Sequence, residues 1–182
     1  MSMDTSLTIE QILLALRDCG MWNKRSDIMV PNLSWGLLPY EADFVVVSKS
    51  GYMTEVEIKR SWEDFKADFG KAHNHDAEQV YQFYYCVPES IVTKVRDFLK
   101  EKYDAPHFHR PAVLYYDERG CIRQLRDDEY PQAYFGSSYA SALSPNVKHR
   151  KLFLEEQLTV ARLGQLRYWS LMEKVNKNQS DS

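Results

Sequence analysis

Apolar residues recur at helical spacing at Leu7, Ile9, Ile12, Leu13, Leu16 and Cys19. This predicts a helix over 7–19, stopped by Gly20. A short strand is expected at 28–30, and Pro31, Gly36 and Pro39 mark 31–42 as a loop. The β-branched run Phe44 to Val47 and the alternating stretch Tyr52 to Lys59 flank the turn Ser48 to Gly51, which reads as a β-hairpin. Ser61 is an expected N-cap for a helix with Trp62, Phe65 and Phe69 on one side, ending at Gly70. A polar stretch over 71–79 precedes a strand over 81–87 and a helix over 89–102. A second hairpin is expected over 112–125, turning at 117–120. Residues 127–147, rich in Tyr, Ser and Pro, show no period and predict a long loop. The spacing then predicts a long helix over 151–174, interrupted by Gly164 at a cost of about 1 kcal/mol relative to Ala, and a disordered tail. The order α-(β)-β-β-α-β-α-β-β-α predicts an α/β fold, with a mixed central sheet flanked by helices on both faces and a C-terminal helical extension.

At 182 residues, 44% hydrophobic and 27% charged, the chain has the size and composition of one globular domain able to bury a core without disulfide or metal support. Cys19, Cys86 and Cys121 are odd in number and far apart, so reduced and mostly buried thiols are expected. The N-terminus lacks a basic segment followed by an apolar run, and no apolar run approaches the ~20 residues that cross a bilayer. A cytoplasmic protein with no membrane partner is therefore expected. The net charge of −3 argues against a chain that is basic throughout, but not against a local basic surface.

Glu57 and Lys59 are two residues apart on the second strand of the first hairpin and so share a face. Asp43 stands at the start of the preceding strand, and pairing at about 4.8 Å brings it beside Glu57. Two carboxylates on a rigid support suit a hard divalent cation, Mg²⁺ or Mn²⁺, with the backbone carbonyl of Ile58 as a further ligand. Such an ion polarises a phosphodiester and activates water, while the Lys59 ammonium orients that water or stabilises developing charge. The set is chemically complete for phosphodiester hydrolysis, with Asp43, Glu57 and Lys59 as catalytic residues.

Asp43, Glu57-Ile58-Lys59 and the helix–strand–helix that follows resemble the PD-(D/E)XK nuclease superfamily. The strings VEIKRSWEDFKADF and QFYYCVPES are more narrowly similar to the MmcB-like DNA-repair family within it. The resemblance covers roughly 7–126. It implies a restriction-endonuclease-like core over 1–126; beyond it a loop and C-terminal helix over 127–175, packed on the core or on a partner, and a disordered tail over 176–182 are expected from the residues themselves. It also implies a Mg²⁺-dependent deoxyribonuclease acting in DNA repair or processing. Ala42 stands where the pattern has its proline. Family members often add an acidic ligand from the first helix, here Glu10, with Asp27 as an alternative. An aspartate–lysine pair of the family is matched by Asp68 and Lys71.

The neighbouring acids Glu55 and Glu41 read as exposed rim positions or as a second metal site. His73-Asn74-His75 spells HNH, but that nuclease motif is spread over a ββα unit. With His107 and His109 these histidines form two His-x-His pairs and no cysteine spaced to complete a zinc site. Between 148 and 177 seven Lys and Arg face three Glu, which makes Arg150 and Lys151, with Lys71, candidate phosphate contacts on DNA. Leu152, Leu154, Leu158, Leu163, Leu166 and Trp169 are expected to pack on the domain or to pair two copies as a homodimer. Two readings from other classes stand beside the nuclease: a non-catalytic DNA-binding or repair-accessory module, and a protein-interaction domain working through its last helix.

Overall fold

The computed structural model describes residues 7–34, 36–70, 75, 77–103, 111–126 and 149–180, with side chains through 172 in the last segment. The first helix, α1 (Ile9–Asp18), opens with a capping box. The Thr8 hydroxyl accepts from the Gln11 N–H, and the Gln11 side chain accepts from the Thr8 N–H. Three strands follow, β1 (Ile28–Leu33), β2 (Ala42–Val47) and β3 (Met53–Ile58), then α2 (Trp62–Asp68) and β4 (Val80–Pro88). A single 3₁₀ turn leads into α3 (Val92–Lys102), and β5 (Ala112–Tyr116), β6 (Ile122–Gln124) and α4 (Leu154–Ser180) complete the chain.

The six strands form one sheet in sequence order. β1, β2 and β3 are antiparallel neighbours. Parallel pairing cannot be closed by a tight turn, and the chain supplies crossovers carrying α2 between β3 and β4 and α3 between β4 and β5. β6 returns antiparallel to β5. The β2–β3 turn closes at Gly51, whose φ of +86° disfavours a side chain. The result is the mixed sheet between helices expected from the order of elements.

The strand alternation sends two apolar sets to opposite faces. Phe44, Val46, Val56, Ile58, Tyr84 and Cys86 meet Ile12 and Leu16 of α1. Val45, Val47, Met53, Phe83, Tyr85 and Val87 meet Phe65 of α2, Val95 and Leu99 of α3, and Val160 of α4. Both faces are therefore covered, and polar residues of β3 that point toward α2 point into the interior.

Three local expectations change. β1 continues through Pro31 to Leu33, because an edge strand tolerates a proline that cannot donate to a ladder. α4 runs to Ser180, past the tail expected to be irregular from residue 176. No proline or glycine after Gly164 stops it. Of the three free cysteines only Cys86 is fully buried, while Cys19 is half-buried and Cys121, beside the β5–β6 turn, is exposed. Among the described residues no helix is long and apolar enough to cross a membrane. The expected loop over 127–147 lies outside the described residues.

Candidate functional site

Glu55, Glu57 and Lys59 alternate along β3 and its end, all toward the face covered by α2. Val45 lies directly across from Glu55, and one step beyond the last paired residues, Phe44 and Val56, Asp43 falls opposite Glu57. The Asp43 carboxylate accepts from the Ile58 N–H at 2.8 Å, which fixes it at the end of the hairpin. Two residues after Lys59 the chain turns into α2, capped by the Ser61 hydroxyl, which accepts from the Asp64 N–H. One face of α2 carries Phe65 into the core and Asp68 back over β3.

Asp68 is the hub of the resulting network. It accepts from Lys59 Nζ at 2.7 Å and from the Tyr85 hydroxyl at 2.9 Å, and lies 3.1 Å from His75 Nε2. Lys59 Nζ also donates to Glu57 at 2.7 Å. His75 Nδ1 is 2.6 Å from one Glu55 oxygen, and the Tyr40 hydroxyl donates to the other at 2.8 Å. Water scarcely reaches these groups: Glu55 is 0% exposed, Glu57 5%, Lys59 3%, Asp68 4% and His75 3%.

Burial alone would push Lys59 down, but Glu57 and Asp68 outweigh it and hold the ammonium above its ordinary range. Burial likewise opposes charge on His75, and its bonds to Asp68 and Glu55 raise it to about 9, so the ring carries a proton at neutral pH. Burial pushes the Glu55 carboxyl up, against the pull of His75 and Tyr40. Burial and the Asp68 charge push Tyr85 up, so it stays a neutral donor.

Of the expected site residues, the structure brings Asp43, Glu57 and Lys59 to one end of the β2–β3 hairpin. The Ile58 N–H donates to the Asp43 carboxylate. Glu10 is exposed in the first turn of α1, which covers the opposite face of the sheet, and it is electrostatically linked to Arg60. Asp27 caps the backbone of Asn23 and Lys49 at the far end of the hairpin. Neither joins Glu57. Lys71, His73, His107 and His109 lie outside the described residues. Arg150 bonds Glu78 at 2.9 Å and Glu156 at 2.7 and 2.8 Å, so its guanidinium pins the start of α4 to the body. Lys151 sits 4.7 Å over the Tyr52 ring.

The sequence left Glu55 between an exposed rim position and a second metal site, and the HNH string that holds His75 was dismissed as a nuclease motif. Glu55 and His75 both belong to the buried network, as do Tyr40 and Tyr85. The signal for Glu55 was present, since its cross-strand neighbour on the same face is a valine within the unbroken apolar run 44–47. Glu55, Glu57 and His75 each offer a ligand atom within 4.8 Å of the others, a geometry able to hold a metal ion.

No family model matches the chain, and no curated protein matches it. Among solved structures, SPO1766, a protein of unknown function from Silicibacter pomeroyi, is similar over 98% of this chain and 96% of that one. The TM-score is 0.53 and the identity 11%, a likeness of fold alone.

Proposed function

We propose that the chain is a metal-dependent nuclease that hydrolyses DNA phosphodiester bonds in repair or processing, in the cytoplasm, on a restriction-endonuclease-like core. The observation that carries this reading is the meeting of Asp43, Glu57 and Lys59 at one end of the β2–β3 hairpin. The order of strands and the resemblance to PD-(D/E)XK and MmcB-like sequences support it. Two carboxylates on a hydrogen-bonded ladder are the donor chemistry that Mg²⁺ or Mn²⁺ takes. The ion, when bound by Asp43 and Glu57, supplies Lewis acidity toward the phosphate and a more acidic water. The Ile58 N–H keeps the Asp43 carboxylate in place. Lys59 stays an ammonium held by Glu57 and Asp68, positioned to stabilise charge on the phosphate. DNA is the partner, and α4, whose outer side stays apolar and exposed, pairs two copies.

The test is cleavage of single- and double-stranded DNA by the full chain with Mg²⁺ or Mn²⁺. Asp43→Asn and Glu57→Gln are expected to lower the rate by about 100-fold or more, with circular dichroism verifying that each variant is folded. Cutting at the wild-type rate by both variants rejects the assignment.

The burial of Glu57 and Lys59 favours a second reading, in which the same ion network holds the fold of a non-catalytic DNA-binding module. Calorimetry separates the two. Binding of DNA with no uptake of Mg²⁺ or Mn²⁺, alone or with DNA, selects the accessory role.

A further inference from the structure

The side chains beyond Asp43 and Lys59 have a different donor chemistry from the pair assigned to Mg²⁺. Glu55 and Glu57 offer oxygens and His75 offers a ring nitrogen, with the three ligand atoms within 4.8 Å of one another. Neighbouring ligands of one ion with bonds of roughly 2.1 Å stand about 3–3.5 Å apart, so side-chain rotations that part His75 Nδ1 and Glu55 from their 2.6 Å bond seat a cation, which displaces the Nδ1 proton to solvent. Each of the three is also held from outside by a further group. The Tyr40 hydroxyl fixes the second oxygen of Glu55, Lys59 fixes Glu57, and Asp68 lies against His75 Nε2, leaving Nδ1 turned toward Glu55. A carboxylate on the far nitrogen of a histidine is the arrangement that orients imidazole ligands in metal proteins. Three members from β3 and the segment after α2, each with its own outer partner, make a built site rather than a chance gathering of acids.

We propose that Glu55, Glu57 and His75 form a second cation site, buried behind the Asp43–Glu57 pair, that takes a borderline transition ion such as Mn²⁺, Co²⁺ or Zn²⁺. The nitrogen ligand sets the preference, because imidazole suits these ions while Mg²⁺ keeps to oxygen and water. Asp68 and Tyr40 are positioning residues for it. Glu57 belongs to both sites, but this one does not rest on nuclease activity and stands if the chain cuts nothing.

The test uses the full chain stripped with a chelator and titrated with Co²⁺ by calorimetry and visible absorption, and with Mn²⁺ by pulsed electron paramagnetic resonance. In excess Mg²⁺, wild type is expected to bind one Co²⁺ with a ligand-field absorption band, and to show nitrogen coupling to Mn²⁺. His75→Gln keeps a polar group in place but is a poor ligand, and it is expected to lose the nitrogen coupling and at least about 10-fold in affinity. Asp68→Asn is expected to weaken binding by roughly 10–100-fold while keeping the nitrogen coupling. Asp43→Asn is expected to bind Co²⁺ as wild type does, even where it abolishes Mg²⁺-dependent cleavage, so the two assignments fail separately. The proposal is overturned if wild type shows no nitrogen-coupled ion, if folded His75→Gln retains the coupling, or if Asp43→Asn abolishes it.

Discussion

Lys59 carries its charge into a place water scarcely reaches, with Glu57 and Asp68 each 2.7 Å from its ammonium. A buried charge survives folding only when its partners replace the water it gave up. Removing the cation while leaving both carboxylates is therefore costly, and Lys59→Met is expected to destabilise the protein by about 3–5 kcal/mol, read as a fall in the urea midpoint. Adding Asp68→Leu is expected to recover part of that loss, because one stranded carboxylate goes with it. A single-variant loss below about 1 kcal/mol would show that the network does not hold the fold. At this scale the sequence makes Glu57 and Lys59 legible, since strand alternation puts residues two apart on one side whatever surrounds them. Asp68 and His75 are not legible in the same way. Nothing local in an acidic helix or in the polar stretch after it tells that α2 folds Asp68 back over β3, or that His75 reaches the same place.

Among the elements, α4 shows most plainly what pattern reading sees and what it cannot. Gly164 reads in the sequence as an interruption, yet α4 passes through it unbroken. The reason is the strand beneath: a Cβ at residue 164 would stand 2.9 Å from Cγ2 of Val30, a buried residue of β1. Glycine lets the helix backbone settle on the sheet. Gly164→Ala gains about 1 kcal/mol of helix propensity but overpacks against a β-branched side chain, which costs about 1–3 kcal/mol. The variant is expected to be neutral to less stable by about 2 kcal/mol. In a Val30→Ala background the same change is expected to be stabilising. A double-mutant cycle in urea measures the coupling, and strict additivity would place the helix elsewhere. Hydrophobic period fixes which segments are helices and strands, as it does for α1, β2, β3 and β5. Contacts between elements decide why a glycine or, in β1, a proline stands where it does.

For the whole molecule, the sequence sets acids on the first hairpin and a basic stretch over 148–177. Folding rearranges both. Glu55 and Glu57 lie inside with Lys59 and His75, while Arg150 is held by Glu78 and Glu156. Among the described residues, most exposed large apolar side chains gather on α4 and the residue before it. Leu152 and Leu163 help join α4 to the body, but Leu154, Leu158, Tyr168, Trp169 and Met172 remain exposed. Leu154, Leu158, Ala161, Gln165, Tyr168 and Met172 alternate at intervals of four and three, the spacing that two-helix coiled coils use. Self-association is therefore expected to appear in sedimentation velocity as a concentration-dependent shift toward a dimer. Leu154→Glu with Leu158→Glu is expected to hold the chain monomeric. A dimer that ignores the leucine changes would use another surface.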